Sequence, residues 1–160
     1  MSARACRSLR GFTLIELVVA MAVLGILAVV AAPAVGEYLA TQRLKGAAEE
    51  LQTDLQFARM QSVQKNAAVT VTLAGTGYTI AQGATTIKSV TFGGGSSVSA
   101  GATLVAVFDP VRATATITNG PDVTVANTST ARTLRVSLST MGRVSICSPG
   151  GAVKGYDTCA

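Results

Sequence analysis

The chain has no histidine and no tryptophan, and only 4% of its residues are aromatic. Without histidine it lacks the side chain that most often serves as general base near neutral pH, and the commonest nitrogen ligand for metals. Serines and threonines are plentiful, but none stands beside an evident activating partner. Asp109, Asp122 and Asp157 are too scattered to suggest a carboxylate cage for a cation. An enzyme is therefore not expected, and no catalytic, cofactor-binding or metal-ligating residue is assigned. Gly, Ala, Ser, Thr and Val dominate instead, a composition that suits short strands and turns better than a dense aromatic core.

Charge is scarce too, at 13% of residues, and between Phe12 and Gly36 the one ionisable side chain is Glu16. Leu17 to Gly36 is an uncharged run of about 20 residues, which at about 1.5 Å per residue matches a hydrocarbon core of about 30 Å. A carboxylate at the mouth of such a run costs about 2.5–3.5 kcal/mol near the bilayer centre and less near the interface. A chain that carries that cost has a use for the charge. Gly25 and Pro33 interrupt the run, and proline removes a backbone donor, so a kink or local opening is expected before Pro33. Ahead of the run lies a short leader with Arg4, Arg7 and Arg10. Without those three, ten basic residues face eight acidic ones, so the overall charge of +5 is weak evidence for an anionic partner.

After Gly36 the rhythm changes. Leu44, Ala48, Leu51, Leu55, Ala58 and Ser62 recur at spacings of four and three and form one small-to-apolar stripe. Glu37, Arg43, Lys45, Glu49, Glu50, Asp54, Arg59 and Lys65 fill the other faces, which reads as a solvated charged surface. The spacing predicts one helix from Phe12 to Asn66. From Ala67 the period falls to two. Val69, Val71 and Leu73 alternate with threonines, and Gly75-Thr76-Gly77 turns the chain into Tyr78-Thr79-Ile80. Further strands are expected over Thr85–Phe92, Leu104–Phe108, Ala113–Ile117, Val123–Val125, Leu134–Leu138 and Val144–Ile146. Gly93-Gly94-Gly95-Ser96-Ser97 reads as a flexible loop; it lacks the lysine, hydroxyl ligand and following helix of a phosphate-binding loop. The fold class is α+β, a long N-terminal helix followed by a run of short strands.

The basic leader, the Gly11-Phe12 junction, Thr13-Leu14-Ile15-Glu16 and the apolar helix behind them resemble the signal of type IV prepilins and type II secretion pseudopilins. Glu50-Leu51, Ala58-Arg59-Met60-Gln61-Ser62, Phe108-Asp109-Pro110, Leu134-Arg135-Val136-Ser137 and Met141-Gly142-Arg143-Val144 look like the GspH/FimT group within that family. The resemblance implies cleavage of residues 1–11 after Gly11 by a prepilin peptidase, which also methylates the new N-terminal Phe12. It implies a transmembrane half of the helix over 12–36, an amphipathic half over 37–66 and a periplasmic β-rich head over 67–160, whose antiparallel β-sheets pack on the amphipathic half. Glu16 would then attract the N-terminal amine of another subunit during assembly, and Gly25 and Pro33 would bracket a segment that loosens on entry into a filament. The implied location is the bacterial inner membrane, single-pass, and then a pilus or pseudopilus built with other pilins. An ordinary signal peptide cut near Val30-Ala31-Ala32-Pro33-Ala34 is the competing reading, and Pro33 and Glu16 both oppose it.

Once exported and cleaved, the chain keeps Cys147 and Cys159 as an even pair without histidine partners, and a disulfide closing a short C-terminal loop is expected. FimT-like members bind DNA through a Gly-Arg-x-Arg motif. The matching residues are Gly142-Arg143-Val144-Ser145, without the second arginine. Arg132, Arg135, Arg143 and Lys154 still make the last third basic and are the candidate contacts to phosphates. Two readings follow: a minor pilin or pseudopilin that helps assemble a filament, or a DNA-binding minor pilin for uptake.

Overall fold

One helix, α1, spans Leu14–Lys65 and is followed by nine strands. The structure, a computed structural model, describes residues 12–93, 95–99 and 104–159, and the side chains of 30–33 and 98–99 are left aside. The leader, Gly11 and the side chain of Pro33 thus lie outside the described residues. The chain divides into two units, one ending at Gly36 and one covering Glu37–Ala160. In the first, every described side chain from Phe12 to Val29 is exposed. No single helix among the described residues is long and apolar enough to cross a membrane, although Leu14–Val29 and Ala34–Lys65 together meet the requirement of length and composition.

The second unit is built as the residue spacing predicts. Leu44, Ala48, Leu51, Leu55, Ala58 and Ser62 are all buried, and the alanines keep that face of α1 shallow enough for strands to approach closely. The helix closes with Asn66 in the left-handed region (φ 48°), the Asn66 N–H donating to Val63 and the Ala67 N–H to Ser62. That pairing satisfies two of the carbonyls a helix end would otherwise leave open.

The strands are β1 (Val69–Ala74), β2 (Gly77–Gln82), β3 (Thr85–Thr91), β4 (Ser96–Ser99), β5 (Leu104–Phe108), β6 (Ala115–Thr118), β7 (Asp122–Asn127), β8 (Thr130–Leu138) and β9 (Val144–Cys147). They form a five-stranded sheet in the order β3-β2-β1-β5-β6 and a four-stranded sheet in the order β4-β7-β8-β9. All ladders are antiparallel. Register keeps the apolar set on one face: Val69 lies opposite Phe108, Val71 opposite Ala106, and Val125 opposite Leu134. Both inner faces and the helix stripe share one hydrophobic cluster.

Three expectations need correction. Gly93–Ser97 is not all loop, because Ser96 opens β4 and pairs with Asn127 of β7. Short polar side chains hide this strand from any period-two pattern, and its partners hold it instead: Asn127 Nδ2 donates to Ser96 Oγ at 3.0 Å, and the Thr128 N–H donates to the Gly95 carbonyl at 3.0 Å. Gly95 sits at φ 81°, where a Cβ would come within 2.5 Å of Thr128 Oγ1, so glycine is required there. Second, β6 begins at Ala115 rather than Ala113. The Asp109 carboxylate accepts the backbone N–H groups of Arg112 (2.7 Å) and Val111 (2.9 Å), shaping a turn that holds the chain out of the sheet. These bonds, the Arg112 one foremost, hold the Asp109 carboxyl below its ordinary range.

Third, Asp54 does not belong to a solvated face. It is buried against the sheet, where Tyr78 Oη and Lys88 Nζ both donate to Oδ2, the latter at 2.6 Å. A carboxylate in this position is tolerated because two donors, one of them charged, reach it. Burial first, then the bond to Asp54, pushes the Tyr78 phenol above its usual range.

Cys147 and Cys159 form a disulfide with Cα atoms 5.0 Å apart. The loop they close is fastened to α1. Tyr156 Oη donates to Glu49 Oε1 at 2.5 Å, Lys45 Nζ donates to the Lys154 carbonyl at 2.8 Å, and the same Nζ lies 5.6 Å from the Tyr156 ring centroid. Inside the loop the buried Ser148 Oγ accepts the Val153 N–H at 2.9 Å. Closing a loop of this length stabilises by about 3 kcal/mol on the chain-entropy view. Replacing both cysteines with serine is therefore expected to lower head stability by about 2–4 kcal/mol in urea titrations. An unchanged midpoint would show that the remaining contacts hold the loop without the disulfide.

Tyr156 is also pushed up, to about 12, by burial and then by its bond to Glu49. The folded head keeps its phenolic protons where the unfolded chain releases them, near pH 10. Stability from Tyr78 and Tyr156 is thus complete below about pH 10 and is lost as pH rises through the folded values. The urea midpoint should fall above about pH 10, and a Tyr156→Phe variant should fall less over the same interval. Equal slopes for the two proteins would contradict this assignment.

Candidate functional site: an exposed apolar helix with one carboxylate

Thr13 starts the helix. Its carbonyl accepts the Leu17 N–H at 3.2 Å, and its Oγ1 accepts the Glu16 N–H at 3.3 Å. Thr13 is thus the N-cap and Glu16 the third helical residue, the spacing of a capping box. That Thr-x-x-Glu signal was available in the sequence and gives Glu16 a local role beside any role in assembly. A carboxylate in the first turn also suits the helix dipole, by about 0.3–1 kcal/mol. The side chain remains exposed, as do Phe12, Leu14, Ile15, Leu17 and Val18 around it. A helix apolar on all sides belongs in a membrane or among other helices rather than in water. The site is therefore a lone charge at the capped start of a surface that calls for cover.

The four candidate cations occupy three places in the head. Arg132 and Arg135 lie on β8, Arg143 lies in the turn before β9, and Lys154 lies in the disulfide loop. Arg132 pairs with Glu37 at 3.0 Å and Arg135 with Asp122 at 3.9 Å. Arg143 and Lys154 are exposed and pair with no carboxylate among the described residues. Sequence reading missed that Arg59, on α1, faces the same open groove as Arg143; only folding brings the two together. Among the described residues, no three of His, Cys, Asp and Glu gather where they could hold a metal ion.

A capped, apolar N-terminal helix with a single first-turn carboxylate, continuing into an amphipathic half under antiparallel sheets, defines a type IV pilin-like subunit. Residues 6–32 match the prokaryotic N-terminal methylation motif, and residues 47–152 match the type II transport protein GspH family. The chain belongs to the GspH family, the GspH/FimT kind of minor pilin or pseudopilin. No curated protein and no solved structure matches it. Membership implies a structural subunit that assembles with other pilins or pseudopilins and is processed by a prepilin peptidase.

Proposed function

We propose that the chain is a minor subunit that helps initiate or assemble a type II secretion pseudopilus or a type IV pilus. The observation that carries this reading is the exposed apolar surface from Phe12 to Val29 with Glu16 as its sole charge. Residues 1–11 are a leader cut after Gly11, Phe12 is the methylated N-terminus, and 12–36 anchors the subunit once in the inner membrane. The head over 67–160 then stands in the periplasm, with 37–66 as its helical spine. In the filament Glu16 meets a neighbouring amine, and Gly25 and Pro33 are where the helix loosens.

Mass spectrometry of the membrane-bound protein is expected to find an N-terminal peptide that begins at Phe12 and carries one added methyl group. A start near Ala34 would reject the reading. The DNA-uptake alternative has in its favour Arg143 and Lys154, which pair with no carboxylate among the described residues, but Arg132 and Arg135 are engaged by carboxylates. The scaffold reading is therefore preferred.

A further inference from the structure

An open groove of about 860 Å³ runs between the last turns of α1 and the β8–β9 turn. That volume is within the range of about 300–1,000 Å³ typical of ligand sites. One wall is α1, with Arg59, Met60 and Val63; the other is the turn with Met141, Gly142 and Arg143. Among the described residues, none that lines it is acidic. Met60 is 52% exposed, Val63 49% and Met141 77%, so apolar surface that could have been buried is held open. Such a patch, flexible in its methionines and rimmed by charge, is a contact surface in need of a partner.

The arginines are arranged rather than incidental. Arg59 Nε donates to the Ala113 carbonyl at 3.0 Å, which fixes the guanidinium in the wall. Its other N–H groups have no partner among the described residues. Gly142 sits at φ 72°, and a Cβ there would meet Arg59 Nε at 2.8 Å, so the absent side chain makes room for the guanidinium. Arg143, one residue on, is exposed and free of carboxylates among the described residues, with its backbone N–H fixed to Ser139 Oγ at 3.0 Å. A guanidinium with free N–H groups in a fixed fork recognises a carboxylate by paired bonds.

We propose that this groove binds an extended, acidic peptide segment of a partner protein. Its carboxylates pair with Arg59 and Arg143, and an apolar side chain between them lies on Met60, Val63 and Met141. Charge complementarity selects the acid, and the apolar floor selects a peptide over a nucleic-acid backbone. A phosphate backbone would leave Met60, Val63 and Met141 uncovered, and among the described residues no aromatic side chain lines the groove to stack a base. The groove's lining residues lie between Gln56 and Val144, outside the apolar segment of 12–36, so the site stands or falls independently of the filament reading.

The test uses the full chain in nanodiscs of zwitterionic lipid and a fluorescent decapeptide that alternates glutamate with leucine. Polarisation should report saturable binding, and a peptide with lysine in place of glutamate should not bind. Arg143→Gln and Met141→Ser change exposed side chains outside the core, and each should weaken binding about tenfold, the usual scale for one charged hydrogen bond or one buried apolar side chain. Arg59→Gln should do the same, with its circular dichroism spectrum checked because it also loses the Ala113 contact. The inference is overturned by failure to bind at millimolar peptide, or by variants that bind as tightly as the unsubstituted chain. It is also overturned if a single-stranded oligonucleotide displaces the peptide and binds more tightly, with no dependence on Met141; the groove would then be a nucleic-acid site.

Discussion

Replacing Glu16 with alanine is expected to leave processing at Gly11–Phe12 intact and to remove the subunit from filaments. The substitution isolates the carboxylate, because the helix cap runs through the Glu16 backbone N–H and Thr13 Oγ1 and survives the change. Loss of the favourable dipole term is worth about 1 kcal/mol at most, too little to undo the helix. An ion pair formed between helices in a low-dielectric layer is different, since removing one partner costs about 3–5 kcal/mol by leaving the other charge uncompensated. Recovery in the sheared-filament fraction should fall by at least about tenfold relative to the membrane fraction. Glu16→Asp should recover part of it. Normal incorporation of the alanine variant would confine Glu16 to its capping position and remove the assembly role.

Phe108→Ala should have the largest effect on the head. Phe108 is fully buried on β5, with Val69 of β1 on one side and Ala115 of β6 on the other. Truncating a buried phenylalanine costs about 3–5 kcal/mol, against a total stability of about 5–15 kcal/mol for a domain. Its neighbour Val107 turns to the outer face and is half-buried, and Val107→Ala should cost about 1 kcal/mol. Urea unfolding followed by circular dichroism separates the two. Similar losses would mean that Phe108 does not face the core in solution.

The helix and most strands were legible because their signals are local. Leu44 to Ser62 keeps the helical period, and Val69, Val71 and Leu73 keep the period of two, so each face is declared within a few residues. Ser96–Ser99 carries no such signal, since its strand exists only because Val125 and Asn127 of β7 offer a ladder. Asp54 misled for a related reason: a carboxylate reads as exposed until Tyr78 and Lys88, far along the chain, are known to converge on it. The functional readings divide in the same way. Glu16 stands out from twenty-odd apolar neighbours, whereas the approach of Arg59 to the β8–β9 turn depends on the Ala113 carbonyl and on the space at Gly142. Arg132, Arg135, Arg143 and Lys154 make the last third of the sequence basic, but their ion pairs are not written there. Arg132 and Arg135 are paired with Glu37 and Asp122.

The strand order has a temporal consequence. Five of the seven described ladders join consecutive strands, and the other two are β1 with β5 and β4 with β7. Hairpins between neighbours close in microseconds, while pairings across long stretches of chain are slow. A chain delivered N-terminus first can therefore assemble its helix and the β1–β3 meander early, yet β1 gains its second neighbour only when Phe108 has emerged. The second sheet starts later still, because β4 waits for Asn127. Resistance to proteolysis should accordingly appear in one late step as these closures complete, rather than grow evenly with the length exported.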